Sequence, residues 1–255
     1  MTLLPQDETK LPKGLVLDEQ PPFVPRMVMT PPITKVVKNV VFQWKHRAVF
    51  QGLLNYGIRP LDRLLFYGPP GNGKTLTSYW MAKELGIPIY RVICTQIRDS
   101  YLGETAKNVA AVANYLNRRS EPSVCLWDEI ESIFVDRGSA KGQCDREIGS
   151  ALTVMLQALD RWRAPTLIVM ATNLYDQLDP ALISRVEMKL EFEAPTAEQC
   201  EKLIQYWAEL LCKHGSDEWG PQLLERVKQT PAASFRELQQ SVAWSARDWV
   251  AAKCK

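Results

Sequence analysis

The chain has 255 residues, 46% of them hydrophobic and 24% charged, enough for one large domain and a small one with a sizeable buried core. Its 31 lysines and arginines against 29 aspartates and glutamates leave a net charge of +2, which gives no electrostatic footprint for nucleic acid or an anionic membrane. Six cysteines without CxxC spacing, two distant histidines, no N-terminal cationic-then-apolar leader and no apolar run near the roughly 18 residues of a membrane span lead us to expect a soluble, cytoplasmic protein with no zinc site.

In chain order, residues 1–32 hold seven of the 17 prolines, Pro21-Pro22 and Pro31-Pro32 among them. Such a segment is expected to run extended over its own domain rather than to form a helix. Its apolar residues Phe23, Val24, Met27, Val28 and Met29 would do the packing. Val36 to Phe42 reads as a strand, and Lys45 to Tyr56 as a helix with Val49, Leu53 and Leu54 on one face. Gly57-Ile58-Arg59-Pro60 then turns the chain into a short buried strand, Leu64 to Tyr67.

The organising stretch follows. Gly68-Pro69-Pro70-Gly71-Asn72-Gly73-Lys74-Thr75 fits G-x-x-x-x-G-K-[ST], with helical spacing from Leu76 to Leu85 behind it. Gly68, Gly71 and Gly73 let the backbone bend until its N–H groups converge on an anion. The helix opening at Thr75 points its positive end at the same place. Lys74 supplies a mobile cation for the β- and γ-phosphates, and the Thr75 hydroxyl can ligate Mg²⁺. A strand, this loop and a helix in that order bind a nucleoside triphosphate, with Pro69, Pro70, Asn72 and Leu76 completing the contact set.

Further along, Ile87 to Ile93 reads as a strand, Asp99 to Glu104 as a polar turn and Thr105 to Asn117 as a helix. Ser123 to Glu129 is an apolar strand ending in two carboxylates. A helix is expected to begin over Ile130 to Val135, before a polar loop from Asp136 to Gln143 and a helix from Glu147 to Trp162. Thr166 to Thr172 is a core strand that ends at Asn173, and Val186 to Phe192 alternates as a half-exposed edge strand would. Strands alternating with helices, most of them continuously apolar, indicate an α/β fold, a parallel sheet sandwiched by helices. From Ala194 the strand pattern stops, and Thr196 to Lys213, a short stretch near Gln222 to Lys228, and Phe235 to Lys253 form a small all-helical lid. The expected division is a proline-rich segment over 1–44, the α/β domain over 45–194 and the lid over 195–255.

Asp128 and Glu129 sit at the carboxyl end of a strand, where an open α/β sheet places its ligands. Asp128 is placed to hold Mg²⁺ through its water shell, and Glu129 to polarise a water that attacks the γ-phosphate. Asn173, at the tip of the next core strand, is a candidate to hydrogen-bond the same water or the γ-phosphate.

Together, Gly68–Thr75, Leu126–Glu129, Ala171-Thr172-Asn173, Leu178-Asp179-Pro180-Ala181-Leu182 and Arg185 resemble the AAA family within the AAA+ ATPases, over about Lys45 to Lys255. The resemblance implies ATP, with Mg²⁺, bound between subunits of a ring, usually a hexamer. Arg185 would act on a neighbour's γ-phosphate, an effect worth on the order of 10³–10⁵ in rate in characterised NTPases. Where relatives often carry a second arginine, this chain has Ile183 and Ser184. Ser234-Phe235-Arg236-Glu237-Leu238 is similar to the arginine-bearing lid motif of other AAA+ branches, so Arg236 would reach the γ-phosphate. Asp99 to Thr105 resembles the pore loop of protein-remodelling members. Tyr101, Leu102 and Gly103 would there grip an extended polypeptide through aromatic burial, with Arg137 to Gln143 at the position of a second pore loop.

The resemblance therefore implies an ATP-hydrolysing ring that remodels, unfolds or threads a protein substrate. The alternative is a DNA-directed AAA+ ATPase of clamp-loader or transposition type, suggested by Ile183-Ser184-Arg185 and by Lys35, Lys38 and Lys45. The near-neutral charge and the Tyr-Leu-Gly loop argue against nucleic acid. A nucleotide-gated scaffold is disfavoured by the intact Lys74, Asp128 and Glu129. No His-Glu-x-x-His occurs, so proteolysis would belong to a separate protease, and recognition to the proline-rich segment, the ring surface or an adaptor.

Overall fold

The core strands are apolar along most of their length because alternate side chains meet a different helical layer on each face of one sheet. The computed structural model describes residues 10–18, 29–53, 56–58, 60–98, 103–134, 143–214 and 234–253. The strands are β1 (Leu15–Asp18), β2 (Arg63–Tyr67), β3 (Ile89–Ile93), β4 (Ser123–Asp128), β5 (Thr166–Thr172) and β6 (Met188–Glu191), in the spatial order β1-β3-β4-β5-β2-β6. β2 to β6 pair in parallel, and β1 runs antiparallel along β3. Leu65, Cys125, Trp127, Ile168 and Met170 face α5 (Glu104–Asn117) and α6 (Gln143–Asp160). Leu64, Phe66, Val124, Leu126, Leu167, Val169 and Ala171 face α1 (Pro31–Lys45) and α3 (Lys74–Leu85).

The strand order positions the site. With β4, β5 and β2 side by side and parallel, the loops leaving all three emerge at one edge. β6 lies at the far edge beside β2, as its half-exposed pattern predicts. Two short helices, α2 (Arg47–Gln51) and α4 (Cys94–Ile97), and a five-residue helix, α7 (Pro180–Ser184), fill connections. The lid helices are α8 (Ala197–His214) and α9 (Phe235–Lys253), which pack through Leu203, Ile204, Leu238 and Val242. The short helix expected near Gln222 to Lys228 lies outside the described residues. Among the described residues, no helix is long and apolar enough to cross a membrane.

The segment before β2 departs from expectation. Val36 to Phe42 is not a strand but the middle of α1. Pro31 and Pro32 occupy the first helical turn, where a missing N–H leaves nothing unsatisfied, so the proline pair opens a helix instead of forbidding one. Ile33, Val37, Val40, Val41 and Trp44 then recur at three- and four-residue spacing as one buried stripe. Valine-rich composition favours a strand locally, and burial against the sheet and α3 overrides it. The helix expected over Lys45 to Tyr56 shrinks to α2, whose Val49 is 64% exposed rather than on a buried face.

β1, inside the segment expected to be an extended tail, instead completes the sheet. Asp18 at its end accepts the Tyr79 hydroxyl of α3 and pairs with Arg91 of β3 at 3.3 Å. At its other end α1 is fastened to the entrance of β2, since the Trp44 indole N–H donates to the Leu61 carbonyl at 2.9 Å. The Leu61 N–H in turn donates to the Gln43 side-chain oxygen at 3.0 Å.

This packing separates two aromatic residues of α1. Trp44 is 6% exposed and Phe42 is 59% exposed. Trp44→Ala is expected to destabilise the fold by about 3–5 kcal/mol, as large core truncations do. Phe42→Ala should stay within roughly 0.5 kcal/mol of wild type. Urea unfolding of the two variants checks both values.

Candidate nucleotide site

The loop between β2 and α3 owes its shape to backbone that only glycine adopts without strain. Gly68 has φ +126°, and a Cβ there would stand 2.4 Å from the Phe192 carbonyl oxygen, so the loop crosses close over the chain leaving β6. Gly73 is left-handed at φ 94° and caps α3, its carbonyl accepting both the N–H and the hydroxyl of Thr77 at 2.8 Å. The first N–H groups of such a helix have no intrahelical partner and carry its positive end. The Asn72 side chain, also buried, donates to the Phe192 carbonyl at 3.4 Å, and its own Oδ1 is buried without a partner.

Lys74 is only 7% exposed, and its ammonium donates to the carbonyls of Gly68 at 2.6 Å and Pro69 at 2.8 Å. Burial pushes its pKa below the ordinary lysine value, Asp128 and Glu131 pull it back up, and Arg236 pushes it down again. The lysine thus curls over the loop that carries it, with its side-chain nitrogen at the cavity wall.

From the next strand end, Asp128 meets the loop directly. The Thr75 hydroxyl donates to Asp128 Oδ2 at 2.9 Å, and the Glu129 N–H donates to Asp128 Oδ1 at 3.2 Å. Glu129 itself has φ 55° and ψ 46°, and among the described residues no other non-glycine has positive φ. A left-handed conformation costs an L-residue roughly 1–2 kcal/mol, and strain of this kind concentrates at functional sites. It throws the exposed Glu129 side chain to the cavity and drops the chain into a single 3₁₀ turn, Ile130–Ser132, in place of the helix expected to begin there.

One cavity of about 380 Å³ collects these groups, within the roughly 300–1,000 Å³ usual for ligand sites. Pro70, Gly71, Asn72, Gly73, Lys74, Thr75 and Leu76 line it from the loop and α3, Asp128 and Glu129 from β4, Asn173 from the end of β5 and Arg236 from the lid. Gly68 and Pro69 stand behind the wall and hold Lys74. The exposed Arg236 is brought in by its backbone, whose N–H donates to the Gly71 carbonyl at 3.2 Å. A Cβ on Gly71 would lie 3.0 Å from both Arg236 Cβ and the Ser234 hydroxyl, so the lid rests against this glycine.

Arg185 lies outside that cavity. At the end of α7 it forms a two-pronged pair with Asp160 of α6, at 2.9 and 3.0 Å, and donates to the Ala181 carbonyl at 3.1 Å. The hydrogen bond from Arg185 holds the Asp160 carboxyl below its ordinary value and raises Arg185 in return. Gly103, left-handed at φ 83°, caps α5, while Tyr101, Leu102 and residues 137–142 lie outside the described residues.

Sequence reasoning missed the far wall of the cavity, where Met29, Thr30, Ile33, Tyr79, Leu203 and Trp207 offer an apolar surface suited to a planar base. Met29 and Thr30 lie in the proline-rich stretch and Ile33 just past it, while Tyr79, Leu203 and Trp207 read as ordinary helix positions. Asp160 carried no signal either, because its partner is 25 residues away.

A glycine cradle opening a helix, an acidic strand end hydrogen-bonded to it, and a lid touching the cradle define a P-loop nucleotide-binding domain. The model of the ATPase family associated with various cellular activities (AAA) matches residues 64–194, just over half the chain, and the chain belongs to that family. The 26S proteasome regulatory subunit S10B homolog B of Arabidopsis thaliana is 34% identical over 170 residues, covering 65% of this chain and 42% of that protein. The 26S proteasome regulatory subunit 10B of Dictyostelium discoideum is likewise 34% identical over 170 residues, covering 65% of this chain and 43% of that protein. The chain thus spans about two fifths of the length of these curated relatives. A chain solved in the E. coli MS115-1 HORMA:CdnC:Trip13 complex matches with a TM-score of 0.63 at 18% identity, over 93% of this chain and 88% of that one, a likeness of fold.

Proposed function

We propose that the chain is an ATP-hydrolysing subunit of a ring, of hexameric type, that unfolds or threads a protein substrate. The observation that carries the reading is the meeting of Lys74, Thr75, Asp128 and Glu129 in one cavity beside a helix N-terminus. The residues present fit both ATP and Mg²⁺. Gly71 and Gly73, both at positive φ, bend the loop into the opening of α3, whose first N–H groups have no intrahelical partner and can approach a polyphosphate. Thr75 and Asp128 offer the hard oxygen donors that Mg²⁺ takes. Mg²⁺ held there supplies charge neutralisation on the β- and γ-phosphate oxygens.

The chain's own groups divide the work. Lys74 and the loop N–H groups hold the phosphates. Glu129 orients a water and takes its proton as the water oxygen bonds to the γ-phosphorus and the bond to the leaving ADP oxygen breaks. Asn173 hydrogen-bonds the same water or the γ-phosphate, and Arg236 approaches it from the lid. Arg185, turned away from its own cavity, serves a neighbouring subunit, and Tyr101, Leu102 and Gly103 grip the polypeptide. The proteasome regulatory subunits among the relatives support a protein substrate and a separate protease or adaptor over DNA. A cytoplasmic setting is part of the same proposal.

Glu129→Gln keeps the shape but loses the proton acceptor. It is expected to bind ATP with near-wild-type affinity and to turn over at least about a hundredfold more slowly, in the range for losing a general base. Lys74→Ala should lose binding itself. Calorimetric titration and steady-state hydrolysis separate the two, and near-normal turnover by Glu129→Gln would contradict the assignment.

Arg185→Ala and Lys74→Ala subunits fail for different reasons, one lacking what it gives its neighbour and the other its own site. Mixed together they are expected to recover part of the activity each lacks alone. Measured across mixing ratios, an activity that never rises above the sum of the separate proteins would exclude an arginine acting in trans.

A further inference from the structure

We infer that Glu131 is a positioning residue that fixes Asn173 for the hydrolytic step; the inference rests on the reading just proposed. Asn173 lines the cavity but is exposed, so no packing fixes where its amide points. Its orientation comes from its backbone. The Asn173 N–H donates to Glu131 Oε1 at 3.3 Å, and the next N–H, of Leu174, donates to the Thr172 hydroxyl at 3.0 Å. Thr172 is the last residue of β5, next to Asn173 in the chain, whereas Glu131 comes from the segment that carries Asp128 and Glu129. Glu131 therefore ties the tip of β5 to the acidic end of β4.

The turn that presents Glu131 is firmly held. Ile130 and Ile133 are buried on either side of it, the Phe134 N–H donates to the Ile130 carbonyl at 2.9 Å, and the Phe134 carbonyl accepts from Asp179 at 3.4 Å. The left-handed Glu129 starts that turn, so one backbone feature aims Glu129 outward and Glu131 under Asn173. The second oxygen of Glu131, Oε2, is buried with no hydrogen-bond partner. A buried polar atom left unpaired in a native fold calls for an explanation, and a charged one more so. An ordinary first-turn acid would point to water. This carboxylate instead sits behind the site, where its charge also favours the protonated form of Lys74.

The test compares kcat and KM for ATP hydrolysis, with calorimetric ATP affinity, in wild type, Glu131→Ala, Glu131→Asp, Glu131→Gln, Asn173→Ala and the Glu131→Ala/Asn173→Ala double variant. Glu131→Ala is expected to lower kcat about tenfold or more with KM and affinity within about threefold, the mark of an interaction made in the transition state. Glu131→Gln, whose amide oxygen still accepts the Asn173 N–H, should stay within about threefold of wild type, a rescue that charge alone would not give. Glu131→Asp keeps the charge but withdraws the oxygen, and should resemble Glu131→Ala; it decides the matter if the alanine variant does not fold. The double variant should be no more than about twofold slower than Asn173→Ala, because residues acting through one another are not additive.

The inference is overturned by wild-type turnover in Glu131→Ala or Glu131→Asp, by losses that multiply in the double variant, or by Glu131→Gln failing as badly as Glu131→Ala. Failure of the hydrolytic reading looks different. Wild type would then turn over no faster than Glu129→Gln, and the inference would fall with it.

Discussion

The hydrogen bond from the Thr75 hydroxyl to Asp128, 2.9 Å long, joins the start of α3 to the end of β4. Two segments 53 residues apart meet there because the sheet lays β5 between β4 and β2 and runs all three the same way. Everything else in the cavity is arranged around that junction. Lys74 precedes Thr75 and folds back over the loop, Glu129 follows Asp128 and turns outward, and Asn173 leaves the strand between them. A change of strand order would separate these groups whatever their identities, so the topology is a condition of the chemistry.

Electrostatics around the junction are deliberately unequal. Lys74, Arg236 and the helix N-terminus gather positive charge where phosphates would lie, and Asp128 and Glu129 gather negative charge where metal and water would lie, with Glu131 behind them. Arg185 belongs to neither group. Its two-pronged pairing with Asp160 holds the guanidinium in a fixed attitude at the end of α7, outside its own chain's cavity. Such a pair restrains a long side chain that would otherwise sample many rotamers, and it needs no burial to do so. The lid contributes through contact with Gly71, against which Ser234 and Arg236 rest.

Much of the site was legible because its chemistry is local in sequence. The loop from Gly68 to Thr75, the acids 128 and 129 and the asparagine after β5 each declare themselves within a few residues, and the structure brings all three groups to one cavity. The sheet was legible for the same reason, since continuously apolar strands alternating with helices leave few architectures. What was hidden depends on distance or on burial. α1 looked like a strand because four valines favour one locally, and only packing on the sheet makes the three- and four-residue spacing of Val37, Val40, Val41 and Trp44 decisive. β1 looked like tail because an edge strand of four residues has no signal apart from its partner, β3. Asp160 and Glu131 gain meaning only from Arg185 and Asn173, which no periodicity connects to them. The wall formed by Met29, Ile33, Leu203 and Trp207 is assembled from two stretches some 170 residues apart, neither of which carries a sign of the other.

The central claim, that hydrolysis at this junction drives work on polypeptide, is tested most directly by what accelerates the wild-type protein. The measurement is steady-state ATP turnover alone, with a permanently unfolded polypeptide, and with duplex DNA, at matched concentrations and fixed salt. The account predicts that the unfolded polypeptide raises the rate severalfold, by about two- to tenfold for an on-pathway substrate whose binding lowers the barrier by roughly 0.4–1.4 kcal/mol, and that DNA leaves it unchanged. Acceleration by DNA with no response to polypeptide would contradict it.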